Sequence, residues 1–253
     1  MRTLLHKLLR AGGVDVFRTP MPRWVPLREI LLRIFTLLSV TCVLDVGAHT
    51  GEYGDFLREI GYEGWIVSFE PVEGSYEALR RHAGHDRKWS VYRLALGAEE
   101  RLLPMNVTRA RVLSSFLEPN SFCAREFREA GRVERRELVR MRRLDQILGD
   151  VLLPIPDPRV FLKMDTQGWD LQVLQGATGI LPRILALQSE VSACNIYSGM
   201  TGYLDAVSAM ERLGFEVVEF VPISRKDNLA VIEFDCVMVR LAEAPLALMA
   251  AAT

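Results

Sequence analysis

Short apolar runs alternate with amphipathic stretches over most of this 253-residue chain. Val43-Leu44-Asp45-Val46 and Ile66-Val67-Ser68-Phe69 are dense in β-branched and large side chains, the composition of strands covered on both faces. Between them, Gly51 to Ile60 sets Tyr53, Phe56, Leu57 and Ile60 at the spacing of one helical face, closed by Gly61. Glu73 to His82 predicts a second helix, Trp89 to Leu96 a third strand, and residues 99–107 an extra strand outside the central unit. Val160 to Met164 predicts a fourth strand, Leu171 to Leu174 a helix, and Ile184 to Val191 a fifth strand. Tyr203, Leu204, Val207, Met210 and Leu213 then mark a helical face that stops at Gly214. Phe215 to Val221 and Val231 to Arg240 read as two strands joined by the polar stretch Ser224 to Asn228, in the manner of a terminal antiparallel hairpin. This order describes an α/β fold with a mostly parallel sheet and helices on both faces.

Chemistry concentrates where the first two strands end. Asp45 and Glu70 stand at the strand tips, and the turn Gly47-Ala48-His49-Thr50-Gly51 opens the helix between them. A strand, glycine turn, helix and second strand tipped by a carboxylate bind the adenosine part of a nucleotide-like cofactor. In a dinucleotide fingerprint, a second glycine lets the backbone approach a pyrophosphate. His49 occupies that position here and would crowd one. S-adenosylmethionine carries no phosphate, and the two oxygens of Glu70 can accept from both ribose hydroxyls. Asp45 would lie beneath the aminoacyl end. The dehydrogenase reading is further opposed by the terminal hairpin, where a parallel crossover would be expected.

Five blocks in order carry a family resemblance over about residues 40 to 240: Asp45 to Gly51, Ser68 to Pro71, Ala95-Leu96-Gly97, Leu162 to Gly168, and Gln188-Ser189-Glu190. The chain resembles FkbM-family class I S-adenosylmethionine-dependent methyltransferases. The Lys-x-Asp-x-x-Gly turn, followed by a helix ending Val173-Leu174-Gln175-Gly176-Ala177, is its most specific part. Two positions depart from the family pattern: His49 replaces the usual Asn, and Gln167 the commoner Glu. The resemblance implies a Rossmann-like fold with a seven-stranded sheet and an S-adenosyl-L-methionine cofactor. It implies cofactor contacts at Asp45, Gly47, Gly51, Glu70, Pro71 and Leu96; His49 and Ser115 are candidates from their places in polar turns, His49 either touching cofactor or bonding to backbone. It also implies O-methylation of a hydroxyl in a sugar, glycan or secondary metabolite.

An alcohol is a poor nucleophile at neutral pH, so its methylation calls for a general base or a metal. Asp165 and Glu190, at the ends of adjacent strands, are the candidates. Asp165 is the better base or divalent-metal (Mg) ligand, with Glu190 orienting the substrate or sharing the role. The alternative for Asp165 is a helix cap made through backbone amides. Asn195 and Tyr197, in a polar loop before Gly199-Met200-Thr201-Gly202, are candidates for the acceptor-facing wall. Ser114 and Ser115 either touch cofactor or satisfy backbone. A noncatalytic cofactor-binding subunit of another transferase is the competing reading, kept open by Gln167.

Composition narrows the rest. A net charge of −1 gives no global pull toward nucleic acid. Four cysteines without a C-x-x-C pair suit a reducing, cytoplasmic setting. The arginine- and glutamate-rich run from Phe122 to Arg143 predicts a solvated helix with pairs such as Arg125 with Glu129, or else a rim attracting an anionic acceptor. Domain limits fall at 1–40 for a helical extension, 41–241 for the methyltransferase domain and 242–253 for a tail. The extension's two amphipathic helices, the second spanning Leu27 to Leu38, pack on the core or lid the pocket. Their basic residues also allow peripheral contact of residues 1–38 with an anionic membrane. Neither run has the eighteen or so apolar residues that span a bilayer. The apolar tail suits fraying or an intersubunit contact in a homo-oligomer.

Overall fold

A computed structural model describes residues 24–240. Its main sheet has seven strands in the order β3-β2-β1-β7-β8-β10-β9. These are β1 (Cys42–Val46), β2 (Trp65–Phe69), β3 (Trp89–Tyr92), β7 (Val160–Met164), β8 (Ile184–Ser192), β9 (Glu216–Arg225) and β10 (Val231–Val239). The strands from β3 to β8 pair in parallel, whereas β10 runs antiparallel to both β8 and β9. The sheet is therefore the mostly parallel one expected, with its antiparallel hairpin at the edge. Chain order reverses direction between β1 and β7, and crevices for ligands open at such a switch point.

Alternation along each strand feeds two cores. Leu44 and Val46 of β1 face a cluster with Leu144, Leu148, Val173, Leu174 and Met210, while Val43 faces one with Leu31, Leu57 and Leu79. The first face is covered by α5 (Leu144–Leu152), α6 (Asp170–Gln175) and α7 (Tyr203–Arg212). The second is covered by α1 (Trp24–Leu37), α2 (Glu52–Glu59) and α3 (Glu73–Ala83). The helix expected over Leu27 to Leu38 is thus α1, and its Leu27, Leu31, Ile34 and Phe35 join the same core as Phe161 and Val237. Its apolar face is spent on the sheet. The earlier helix of the extension and the 242–253 tail lie outside the described residues. No described helix is long and apolar enough to cross a membrane.

Two sequence expectations change. The single strand over Trp89 to Leu96 divides into β3 and β4 (Ala95–Leu96), and β4 belongs to a second sheet of order β4-β6-β5. The break falls at Arg93, which leaves the strand to pair with Glu73 and Glu137 at 3.2 Å. β5 (Arg101–Thr108) is the expected extra strand, and its antiparallel partner β6 (Val133–Arg142) comes from the charged run. That run is a short helix, α4 (Ser121–Glu126), a 3-10 turn and then a strand, so the solvated helix is not formed. The period that wins is two: Val139 and Met141 are buried while Leu138 and Arg140 are exposed. Glu129 pairs with Arg109 and Arg132 in place of Arg125.

Candidate active site

The two motif turns meet at the switch point. Gly47 follows β1 with φ +78°, and a Cβ there would lie 2.0 Å from the Asp165 carbonyl oxygen beyond β7. Only glycine lets the two chain segments come this close. His49 and Gln167, one in each turn, also hold left-handed backbone at φ 47° and 52°. Strain of this kind in non-glycine residues is held in place by the surroundings and clusters at functional sites.

A narrow cavity of about 70 Å³ runs from this junction along the ends of β1 and β2. Gly47, His49, Glu70, Pro71 and Leu96 line it, with Leu94, Met105, Phe116 and Trp169 supplying apolar walls. Glu70 is 6% exposed and accepts from the His49 N–H at 2.9 Å and the Val72 N–H at 2.8 Å. Burial pushes its carboxyl up to about 8 against the pull of these two donors. The indole Nε1 of Trp169 is buried without a hydrogen-bond partner on the wall of this space. A carboxylate with a spare lone pair on each oxygen, an unpaired donor and flat apolar walls fit an adenosine group.

Three expected cofactor residues stand elsewhere. Asp45 is 0% exposed behind the wall, accepting from Ser68 at 3.1 Å and paired with Lys163 Nζ at 3.0 Å. Gly51 begins α2 and packs against Leu79 and Trp89. Ser115 is buried, donates from Oγ to the Gln167 carbonyl at 2.7 Å and accepts from the Leu117 N–H, so its bonds satisfy backbone. Its neighbour Ser114 lines the cavity, together with Arg111 and Val112 from the same turn.

A second cavity, of about 710 Å³, adjoins the first, sharing Gly47, His49, Val112, Asp165 and Gln167 with it. Acidic side chains dominate its lining: Glu52, Asp55, Glu59, Asp165, Glu190, Glu233 and Asp235, against Lys163 and His49. Lys163 is 5% exposed and also lies 3.6 Å from Asp165 and 5.1 Å from the Tyr53 ring centre. Burial disfavours its charge, but the carboxylates of Asp45 and Asp165 outweigh that and hold its affinity for the proton above the ordinary lysine value.

Asp165 and Glu190 come together as expected. Gln167 Nε2 donates to both, at 3.0 Å to Asp165 Oδ1 and 3.1 Å to Glu190 Oε2. The Asp165 side chain is 37% exposed toward the cavity. Burial works against its ionisation, yet the Lys163 charge and hydrogen bonds from Glu190 and Gln167 bring its carboxyl below the usual aspartate range. Glu190 moves the other way, raised well above the usual glutamate range by burial and then by the Asp165, Glu233 and Asp235 charges. The pair therefore divides into an ionised Asp165 and a protonated Glu190 that donates to it.

Asp165 does not cap α6: the N-cap position is Trp169, and Asp165 Oδ1 accepts from the Gln167 side-chain amide. Asp170 instead ties the turn down, accepting from the Thr166 N–H at 3.0 Å and Ser189 Oγ at 2.6 Å. The metal expectation at Asp165 is not met by the donor set. Among the described residues no three His, Cys, Asp or Glu side chains converge as a metal site, and the neighbours of Asp165 are an ammonium, an amide donor and the protonated carboxyl of Glu190. The expected substrate wall also shifts. Asn195 is exposed, donates to the Met200 carbonyl at 2.8 Å and lines neither cavity. Tyr197 is 1% exposed and stands behind Gln167, its hydroxyl 2.8 Å from Gln167 Oε1.

The sequence reading gave no site role to Trp169, which lines the narrow cavity, or to Lys163, Gln188 and the acids of β10, which line the wide one. Glu233 and Asp235 were readable as two charges on one face of an otherwise apolar strand. Trp169 had no signal beyond its place after Gly168.

The family model described as the methyltransferase FkbM domain matches residues 45–217. Solved structures with similar chain paths include precorrin-6y C5,15-methyltransferase from Geobacter metallireducens, at 12% identity and TM-score 0.44 over 88% of this chain and 92% of that one. Aeropyrum pernix fibrillarin with bound S-adenosyl-L-methionine gives 11% identity and TM-score 0.45 over 83% and 74%. Magnesium protoporphyrin IX methyltransferase from Synechocystis PCC 6803 gives 9% and 0.42 over 94% and 96%. Likeness at this level adds no argument to the family match. Comparison with curated protein sequences found no match.

Proposed function

The chain belongs to the FkbM methyltransferase family and is an S-adenosylmethionine-dependent methyltransferase; on that premise we propose that it methylates a hydroxyl oxygen, with Asp165 as the general base. The observation that carries this reading is the position of Asp165, ionised and open where the two cavities join. The narrow cavity would hold the cofactor, with Glu70 on the ribose, the apolar walls around the adenine and Gly47 and His49 beside the methionine part. When bound, the cofactor supplies an electrophilic methyl group for in-line displacement. The larger cavity would hold the acceptor, its hydroxyl turned toward Asp165.

An alcohol oxygen becomes strongly acidic as it gains a methyl group, so an ionised carboxylate is a sufficient proton acceptor at that moment. Glu190, protonated, keeps Asp165 ionised and is no second base. The acid-rich wall disfavours phosphate-bearing acceptors by like-charge repulsion. A neutral or cationic hydroxyl compound, such as a sugar of a glycan or a secondary metabolite, suits it better.

Calorimetry of S-adenosylmethionine binding, with NAD as control, tests the cofactor assignment. Transfer of a labelled methyl group to neutral, amine-bearing and phosphate-bearing alcohols then tests the acceptor class. Asp165→Asn is expected to lower kcat by about 10²- to 10⁴-fold while cofactor binding persists. Full activity in that variant, or transfer to amine nitrogens in place of hydroxyls, would refute the proposal.

A further inference from the structure

Every polar atom of the Gln167 side chain has a partner. Both hydrogens of its amide go to the carboxyl pair, at 3.0 Å to Asp165 and 3.1 Å to Glu190, and Oε1 faces the Tyr197 hydroxyl at 2.8 Å. Its backbone carbonyl accepts from Ser115 Oγ at 2.7 Å. The Tyr197 hydroxyl has one proton and two acceptors within reach, the other being the Leu113 carbonyl at 2.8 Å. Leu113 belongs to the Arg111–Leu113 turn, and its neighbour Val112 roofs both cavities.

A primary amide is nearly symmetric in shape and differs at its two ends only in donating or accepting. With Nε2 toward the carboxyls, Asp165 receives a donor. Turned over, Oε1 would face two acidic groups. On the far side the amide oxygen meets the hydroxyl of Tyr197. Buried and disfavoured from ionising, it stays a neutral phenol able to donate.

We propose that Gln167 and Tyr197 form a positioning pair: the amide holds Asp165 and Glu190 in one arrangement, and the Tyr197 hydroxyl, within hydrogen-bond reach of both Gln167 Oε1 and the Leu113 carbonyl, ties that arrangement to the roof. This rests on the reading of Asp165 as the base, and assigns the two residues a role through it. Neither touches the reacting atoms on this account. Charged and titratable groups facing the pair from the packed elements are Lys163 on β7, Asp45 on β1, Tyr53 on α2, Cys123 on α4, Asp170 on α6, and Glu233 and Asp235 on β10. Those groups remain in place when Gln167 or Tyr197 is changed, so any altered titration of the pair reports the amide and phenol.

The experiment is a carbon-13 carboxyl titration of the full-length protein as wild type, Tyr197→Phe and Gln167→Glu, with melting curves to confirm folding. Loss of a donor makes ionisation of Asp165 harder. Its midpoint should rise by about half a pH unit or more in Tyr197→Phe, and by more than about one in Gln167→Glu, where an acid replaces the donor. With an acceptor in hand, the acidic limb of the kcat–pH profile should move by the same amount, and in Tyr197→Phe, whose side chain lines neither cavity, S-adenosylmethionine affinity should stay within about twofold. An unmoved Asp165 midpoint in the folded variants would overturn the proposal and leave Tyr197 as a mere prop for the roof. Should Tyr197→Phe fail to fold, Gln167→Glu decides alone. A moved midpoint without methyl transfer to any hydroxyl would uphold the pair and sink the functional reading; transfer with an unmoved midpoint would do the reverse.

Discussion

The two cavities are built differently. The narrow one is fixed by backbone: Gly47 against the Asp165 carbonyl, and Glu70 on two backbone N–H groups. The wide one is fixed by side chains, with Lys163, Asp165, Gln167, Glu190 and Tyr197 joined from three stretches of chain. Backbone geometry of the first kind leaves little choice of residue and suits a ligand that does not change. A network of side chains can be re-tuned one substitution at a time, as an acceptor site must be when substrates differ.

That contrast can be attacked at both cavities. The largest effect should come from Lys163→Met, which leaves Asp45 buried without its cation and should cost about 3–5 kcal/mol in denaturant unfolding. A loss under about 1 kcal/mol would mean that the pair contributes little to stability. Gly47→Ala comes next: the overlap with Asp165 and the left-handed backbone should cost about 2–4 kcal/mol and abolish cofactor binding. Glu70→Ala should weaken S-adenosylmethionine by about 2–3 kcal/mol, a change of roughly 30- to 150-fold in Kd by calorimetry, without touching the Asp165 titration.

Glu70 also predicts a pH dependence. Its free-state carboxyl lies near 8, and ribose hydroxyls that donate to it favour the ionised form. Binding below that pH must expel the proton, so affinity climbs as pH approaches 8 and levels off above it. Calorimetry in buffers of different ionisation heat should show proton release near pH 7 that disappears in Glu70→Ala. The smallest effect is at the roof: Ser115→Ala removes one hydroxyl that serves two backbone groups and should lower stability by about 1 kcal/mol.

Sequence pattern located the backbone-built cavity well, because glycines and strand-end acids are local signals. Gly47, His49, Glu70, Pro71 and Leu96 all line it. The pairing of Asp45 with Lys163 behind the wall was not legible, because it depends on register between β1 and β7, and the two residues are 118 positions apart. Ser115 was one residue off, since which of two adjacent serines faces a cavity depends on the turn between β5 and α4. Tyr197 and Asn195 were read as a wall from their chemistry alone, whereas the fold uses the first behind Gln167 and turns the second outward. The charged run was taken for a helix because its arginines and glutamates satisfy helical spacing; the alternation at Leu138 to Met141 carried the better signal.

The helix α1 sets the true size of the working unit. Every catalytic motif lies downstream of it, and the family match begins only at Asp45. Yet Leu31, Ile34 and Phe35 cover Phe161 and Val237, and Leu27 reaches the rim of the wide cavity. A chain trimmed to its recognisable motifs would keep the vocabulary of a methyltransferase and lose the plaster behind one wall. Anyone transplanting this domain into a fusion should cut ahead of Trp24.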